Sequence, residues 1–353
     1  MLAPDPTAMA ALDALLGRLG LVKVGVQPMA AGASTRQYVR VQLASGGSAV
    51  GMFFPQGVQT DEIQQPLNLR RWPFLEVGDL LRQHGVRVPE VLGDATDDGW
   101  LLLEDLGDDT LANYLLRHPG KKDALYTKAV RDLAAAQERL AAAPAGSIVA
   151  SRAFDEALIR GEIDHFREWG LEARDYHLAR ADRVAFEGIA ERFARRIASF
   201  PRGFTHRDYQ SRNLMVHGEN GQNGAGTPDL VWIDFQDALR GPRVYDLVTL
   251  LNDSYQDFDR AFIEARLDDY AQACRLSTEE RSELDVQFDR VTVLRKLKNA
   301  GRFVFIDRVN DNPTFLKFLP STFARIRASL ARLAPHDEDM RTLEDILDRV
   351  IKP

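Results

Sequence analysis

A chain of 353 residues, 45% hydrophobic and 27% charged, has the composition of a water-facing globular protein long enough for two cores. Its 52 acidic against 45 basic side chains leave a formal charge of −7, which argues against the basic surface needed to track a nucleic-acid backbone. The single cysteine, Cys274, excludes an internal disulfide framework and a cysteine-based zinc site, and no apolar run reaches the length of a bilayer span.

Leu12, Leu15, Leu16 and Leu19 recur at helical spacing in a stretch that also carries Asp5 and Asp13. Residues 1–20 therefore read as an amphipathic helix and not as a secretory leader, and the expected setting is cytoplasmic. Residues 27–41 read as strand, glycine turn, strand, with Val39 and Val41 alternating against Tyr38 and Arg40. Ser45-Gly46-Gly47-Ser48 is a hairpin turn into a strand over 49–54. A helix is expected over 73–84, then strands over 86–92 and 99–106. From Leu111 the pattern turns helical, over 121–143, 154–169 and 181–199. Two short strands, 214–217 and 230–235, interrupt it, and the Gly- and Asn-rich stretch 218–228 between them reads as a mobile loop away from the chemistry. Strands first and helices after give an α+β protein with its seam near Gly107, hence domains over 1–106 and 107–353.

His206-Arg207-Asp208, four residues and then Asn213 reproduce a phosphoryl-transfer loop, in which the Asp accepts the proton of a substrate hydroxyl and the Asn holds magnesium. Asp234, closing the apolar run from Leu230, supplies the second carboxylate of the site, the one that such chemistry needs to hold the metals. His206 fits a structural imidazole that fixes the loop by bonding backbone. Gly32 and Ser34 lie in a turn between two strands, where backbone amides and a hydroxyl can cradle phosphate oxygens. Glu104 and Leu106 end a strand that breaks at Gly107, a segment whose backbone would read the adenine edge.

Together these features resemble the superfamily of aminoglycoside phosphotransferases and choline kinases, and within it the bacterial kinases of N-acetylmuramate and N-acetylglucosamine. The residues that carry the resemblance are 32–41, 101–107, 206–215, Ile233-Asp234-Phe235-Gln236-Asp237-Ala238 and 241–247. The resemblance implies a bilobal protein-kinase-like fold, with a small N-terminal antiparallel-sheet lobe and a larger helical C-terminal lobe. It implies ATP and Mg²⁺ as cofactors, Asp208 as base, Asn213 and Asp234 as metal ligands, and Asp246 as a structural support of the loop. The acceptor would be a small molecule, a sugar phosphorylated on its anomeric hydroxyl in cell-wall recycling. An aminoglycoside or amino-alcohol acceptor is the alternative within the enzymes, and a nucleotide-binding pseudokinase the alternative outside them; no nucleic-acid or membrane partner is expected.

The strand that carries a phosphate-binding lysine in kinases has none in 49–54, and Lys23 is the sole lysine before Lys121. Arg36 or Arg40 is expected to supply that charge. Arg295 and Lys298, on one helical face, are expected to meet an anionic group of the acceptor, whereas Lys296 and Arg302 are expected to face solvent.

Overall fold

The computed structural model describes residues 4–29, 36–55, 71–218, 227–254 and 256–351. In chain order the elements are α1 (Pro6–Arg18), β1 (Lys23–Pro28), β2 (Gln37–Leu43), β3 (Ser48–Phe53), α2 (Pro73–Gln83), β4 (Val91–Ala95), β5 (Trp100–Glu104), α3 (Leu111–Arg117), α4 (Lys122–Arg139), α5 (Ile148–Ser151), α6 (Glu156–His165), α7 (Arg180–Ala198), β6 (Arg202–Thr205), β7 (Leu214–His217), β8 (Asp229–Trp232), β9 (Leu239–Pro242), α8 (Tyr245–Leu251), α9 (Arg260–Cys274), α10 (Thr278–Asn310), α11 (Leu319–Leu333) and α12 (Glu338–Val350). They form two compact units, one of Met1–Tyr114 with Leu214–Asp237, the other of Leu115–Asn213 with Ala238–Pro353. The expected seam after residue 106 thus precedes the observed boundary after Tyr114, and 214–237 returns to the first unit.

The first unit is built on an antiparallel sheet of order β1-β2-β3-β5-β4. Val39 and Val41 of β2 are buried, as period-two alternation requires, and pack with Leu12, Leu15 and Leu16 of α1 and with Trp100. Asp5 caps α1 by accepting from the Ala8 N–H at 2.9 Å, and the Trp100 indole donates to the Ala8 carbonyl at 2.7 Å, which ties helix to sheet. The expected turn at 45–48 is present, with Gly46 and Gly47 at φ +88° and +78°. The strand expected over 86–92 begins only at Val91; Pro89 just ahead of it has no N–H to give to a ladder. β7 and β8 pair with Leu214 opposite Trp232. The strand expected over 230–235 stops at Trp232 because Asp234 turns to φ +63°, outside the β region. Most of the glycine-rich stretch between β7 and β8 lies outside the described residues.

Among its described residues the second unit is mainly helical, with one pair of strands, β6 and β9, which pair antiparallel from Arg202↔Pro242 to Thr205↔Leu239. Its longest element is α10, with 33 residues and an opening capping box in which Ser277 and Glu280 satisfy each other's backbone amides. The helix expected over 154–169 is α6 running into a π-helical segment, Phe166–Leu171. Gly301 of α10 faces that junction, where a Cβ would stand 2.9 Å from the His165 carbonyl oxygen and 3.0 Å from Phe166 Cα. Glycine is what lets α10 approach this closely.

Candidate active site

In the second unit, β6 delivers the chain into the loop 206–213. Arg207 takes φ +75°, a left-handed conformation that costs a non-glycine residue about 1 kcal/mol and must be held by its surroundings. Asp246, wholly buried on α8, supplies the hold by accepting from the backbone N–H of His206 at 2.6 Å and of Arg207 at 3.0 Å. The buried His206 ring accepts the Asp208 N–H at Nδ1, 3.3 Å away. Asn213 closes the loop by donating from Nδ2 to the Asp208 carbonyl at 2.8 Å. The Tyr209 hydroxyl anchors it to the Ala129 carbonyl at 2.9 Å, and Ser211 bonds Asp253 through both its hydroxyl and its amide. The imidazole and the Asp246 carboxylate thus both bond the loop backbone.

Cations gather around the Asp208 carboxylate. Arg295 on α10 donates from Nη2 to Oδ1 at 3.2 Å and from Nη1 to the Arg207 carbonyl at 3.1 Å and the Tyr245 hydroxyl at 3.0 Å. Lys298 and Arg207 both approach Glu162, at 3.2 Å and 3.6 Å. Burial pushes the Asp208 carboxyl up, but Arg295, then Lys298 and Arg207, outweigh it and hold it at about 2. Burial pushes Asp246 up to about 7 against the pull of its two amide donors and Arg295. Arg295 and Lys298 share a helical face as expected, but both are committed to carboxylates of the protein. Lys296, expected in solvent, is buried, donates to the Ser254 hydroxyl at 3.0 Å, and is pushed by burial well below the ordinary lysine range. The packing of α10 against neighbouring helices covers both sides of that face. Arg302 is half-buried, with its guanidinium 5.3 Å above the Phe305 ring.

In the first unit, Asp234 follows β8 in the left-handed conformation, and its carboxylate is 44% exposed. Arg36 donates to Asp234 Oδ1 at 3.3 Å and Gln236 at 3.0 Å. The turn is seated by Phe235, which packs on Phe74 of α2 with ring centres 4.9 Å apart. Arg40 lies elsewhere in this unit. It makes four hydrogen bonds of 2.7–3.1 Å to Asp105 and Asp108, so its charge is spent within the protein. Glu104 pairs with Arg87 and accepts the Glu90 N–H at 3.1 Å, and its own N–H goes to the Glu90 carbonyl at 2.9 Å. Leu106 lies past the end of β5, half-buried and outside any ladder. Gly32 and Ser34 lie outside the described residues.

The donor chemistry suits magnesium. Asn213 in the second unit offers an amide oxygen and Asp234 in the first a carboxylate, each a hard donor of the kind magnesium takes beside phosphate oxygens and water. Among the described residues no three His, Cys, Asp or Glu side chains form a ready-made cage. Glu162 and Tyr245 were not singled out from sequence: one sits in an ordinary amphipathic helix, and the other is a tyrosine whose hydroxyl meets Arg295 only through tertiary packing.

The phosphotransferase enzyme family (APH) matches residues 25–284. The chain is 33% identical over 273 residues to the N-acetylmuramate/N-acetylglucosamine kinase of Pseudomonas aeruginosa, covering 74% of this chain and 73% of that protein. It is 30% identical over 306 residues to the Pseudomonas putida protein of the same name, covering 85% and 82%. Among solved structures, the GDP complex of aminoglycoside 2'-phosphotransferase-IIIa superposes with a TM-score of 0.60 at 16% identity, over 92% of this chain and 99% of that one. The Plasmodium vivax ethanolamine kinase gives 0.58 at 12% identity, over 93% and 95%. At such identities these structures establish the protein-kinase-like fold.

Proposed function

Because the chain belongs to the phosphotransferase enzyme family, whose members pass a phosphoryl group to a hydroxyl acceptor, we propose that it is an ATP-dependent kinase of an N-acetylated amino sugar. The acceptor is N-acetylmuramate or N-acetylglucosamine, the product an anomeric phosphate, and the setting cell-wall recycling. The observation that carries this reading is likeness to kinases of those two sugars over most of the chain. The loop geometry supports it with a carboxylate fit to accept a hydroxyl proton.

The transfer is in line: the acceptor oxygen forms a bond to the γ-phosphorus as the bond to the ADP oxygen breaks, and the hydroxyl proton passes to Asp208. Held at about 2, Asp208 is ionised at neutral pH. It orients the hydroxyl throughout and takes the proton late, since a loose transition state builds little charge on the nucleophile. Asn213 and Asp234 are the residues that would hold Mg²⁺, which when bound would supply positive charge to offset that on the phosphate oxygens. Arg36, buried beside Asp234, is the candidate for the charge that a strand lysine gives other kinases. His206 and Asp246 keep the loop in shape.

The test is an ATP-consumption panel over N-acetylmuramate, N-acetylglucosamine, aminoglycosides and choline, with the two sugars repeated as methyl glycosides. Turnover is expected with the free sugars and none with the glycosides, whose anomeric oxygen is blocked, and the product should lose phosphate in mild acid. Turnover on the glycosides would overturn the anomeric assignment, and a silent panel the kinase reading.

A further inference from the structure

The Asp208 carboxylate has two oxygens, and among the described residues only Oδ1 receives a hydrogen bond, from Arg295 at 3.2 Å. The guanidinium that makes this bond is itself fixed. It is 7% exposed, bonds the Arg207 carbonyl and the Tyr245 hydroxyl, and lies 5.3 Å from the Tyr245 ring centre. We infer that Arg295 is a positioning residue that locks the Asp208 carboxylate against the backbone of its own loop and so presents Oδ2 to the acceptor hydroxyl.

The terminal torsion of an aspartate is broad, so an unrestrained carboxylate would sample orientations useless for an in-line attack. A planar fork that grips both the side-chain oxygen and the carbonyl of the preceding residue makes the two move together, which a lysine ammonium, a point charge, cannot do. Asp246 holds the N–H of Arg207 and Arg295 its carbonyl, so the left-handed residue is pinned on both sides. Lys298 and Arg207 ion-pair with Glu162 and reach Asp208 through charge and not through the two-point grip of the fork. The inference rests on the reading of Asp208 as base.

Arg295→Met, Arg295→Lys, Asp208→Asn and the double variant Arg295→Met/Asp208→Asn are compared for kcat, the KM of ATP and Tm, with and without added guanidinium chloride at low concentration. Misplacing a reacting group by an ångström can cost about 100-fold, and a kcat loss of that order is expected for Arg295→Met. The KM of ATP should stay unchanged, guanidinium should restore part of the rate, lysine should recover little, and the double variant should be no slower than Asp208→Asn alone. If Asp208→Asn abolishes turnover while Arg295→Met keeps a normal kcat, the inference fails and the base reading stands. Near-normal kcat in Asp208→Asn overturns both. A loss in Arg295→Met that guanidinium does not relieve, and that comes with a lower Tm and a higher KM of ATP, assigns Arg295 to the fold alone and overturns the inference.

Discussion

Arg36 and Arg40 are near neighbours in sequence, and nothing in their spacing tells which one faces a phosphate. Their burial and partners separate them. Arg36 donates to the exposed metal-binding candidate Asp234, whereas Arg40 is clamped by Asp105 and Asp108. Arg36→Ala is therefore expected to raise the KM of ATP and lower kcat about 10-fold or more, in line with the loss of a charged contact worth about 1.5–3 kcal/mol. Arg40→Ala should leave the KM of ATP near normal and lower Tm instead, because it removes the cation paired with Asp105, whose side chain is 7% exposed and would keep only the neutral donors Ser48 and the Gly107 N–H. Steady-state kinetics and a melting curve on both variants decide the assignment; a kinetic defect in Arg40→Ala with none in Arg36→Ala would reverse it. The same limit applied to Arg295 and Lys298. Sequence spacing placed them on one face, but the destination of a buried guanidinium is set by the groups that surround it, here Asp208, Arg207 and Tyr245.

Elements read well from sequence where periodicity and turn chemistry agreed. The leucines of α1, the alternation in β2 and the glycine turn before β3 are each a local rule obeyed locally. The loop 206–213 was legible because its residue types are dictated by chemistry. The β6–β9 pair was not, since its strands are four residues each and separated by the whole loop and β-hairpin between them. Nor was the π-helical segment after α6, which departs from helical periodicity for the sake of packing. Its contact with α10 turns on Gly301, and Gly301→Ala should force the two helices apart. A Cβ 2.9 Å from a backbone oxygen has no flexible neighbour to displace, so a loss of about 1–3 kcal/mol is expected, read as a lower denaturant midpoint with an unchanged slope. An unaltered midpoint would mean that the helices have slack at this crossing.

Across the whole molecule, several carboxylates sit below their ordinary values because arginines and hydroxyls hold them. Burial pushes Asp105 up from 3.8, but Arg40, Ser48 and the Gly107 N–H more than offset this; in the second unit Arg281 and Arg260 do the same for Glu264, and Arg290 for Asp337. A folded value below the unfolded one means that the stabilising contribution is complete above the unfolded value and is lost as pH falls through the folded one. The contribution of these three carboxylates should thus be complete near neutrality and decline on acidification below about pH 4. Asp105→Asn should start from a lower Tm and show a shallower acid decline than the parent, and parallel curves would remove Asp105 from that account. The chain also crosses between its two units more than once, leaving the first after Tyr114, returning at Leu214 and leaving again after Asp237. The Trp232 amide that bonds Arg87 and the Phe235 ring that seats on Phe74 both come from the returning segment. During translation the first unit therefore cannot finish folding when its N-terminal stretch emerges. At roughly 5–20 residues per second it must wait of the order of ten seconds for β7, β8 and Asp234, with the five-stranded sheet synthesised but the unit incomplete, and a chaperone would find that intermediate at this stage.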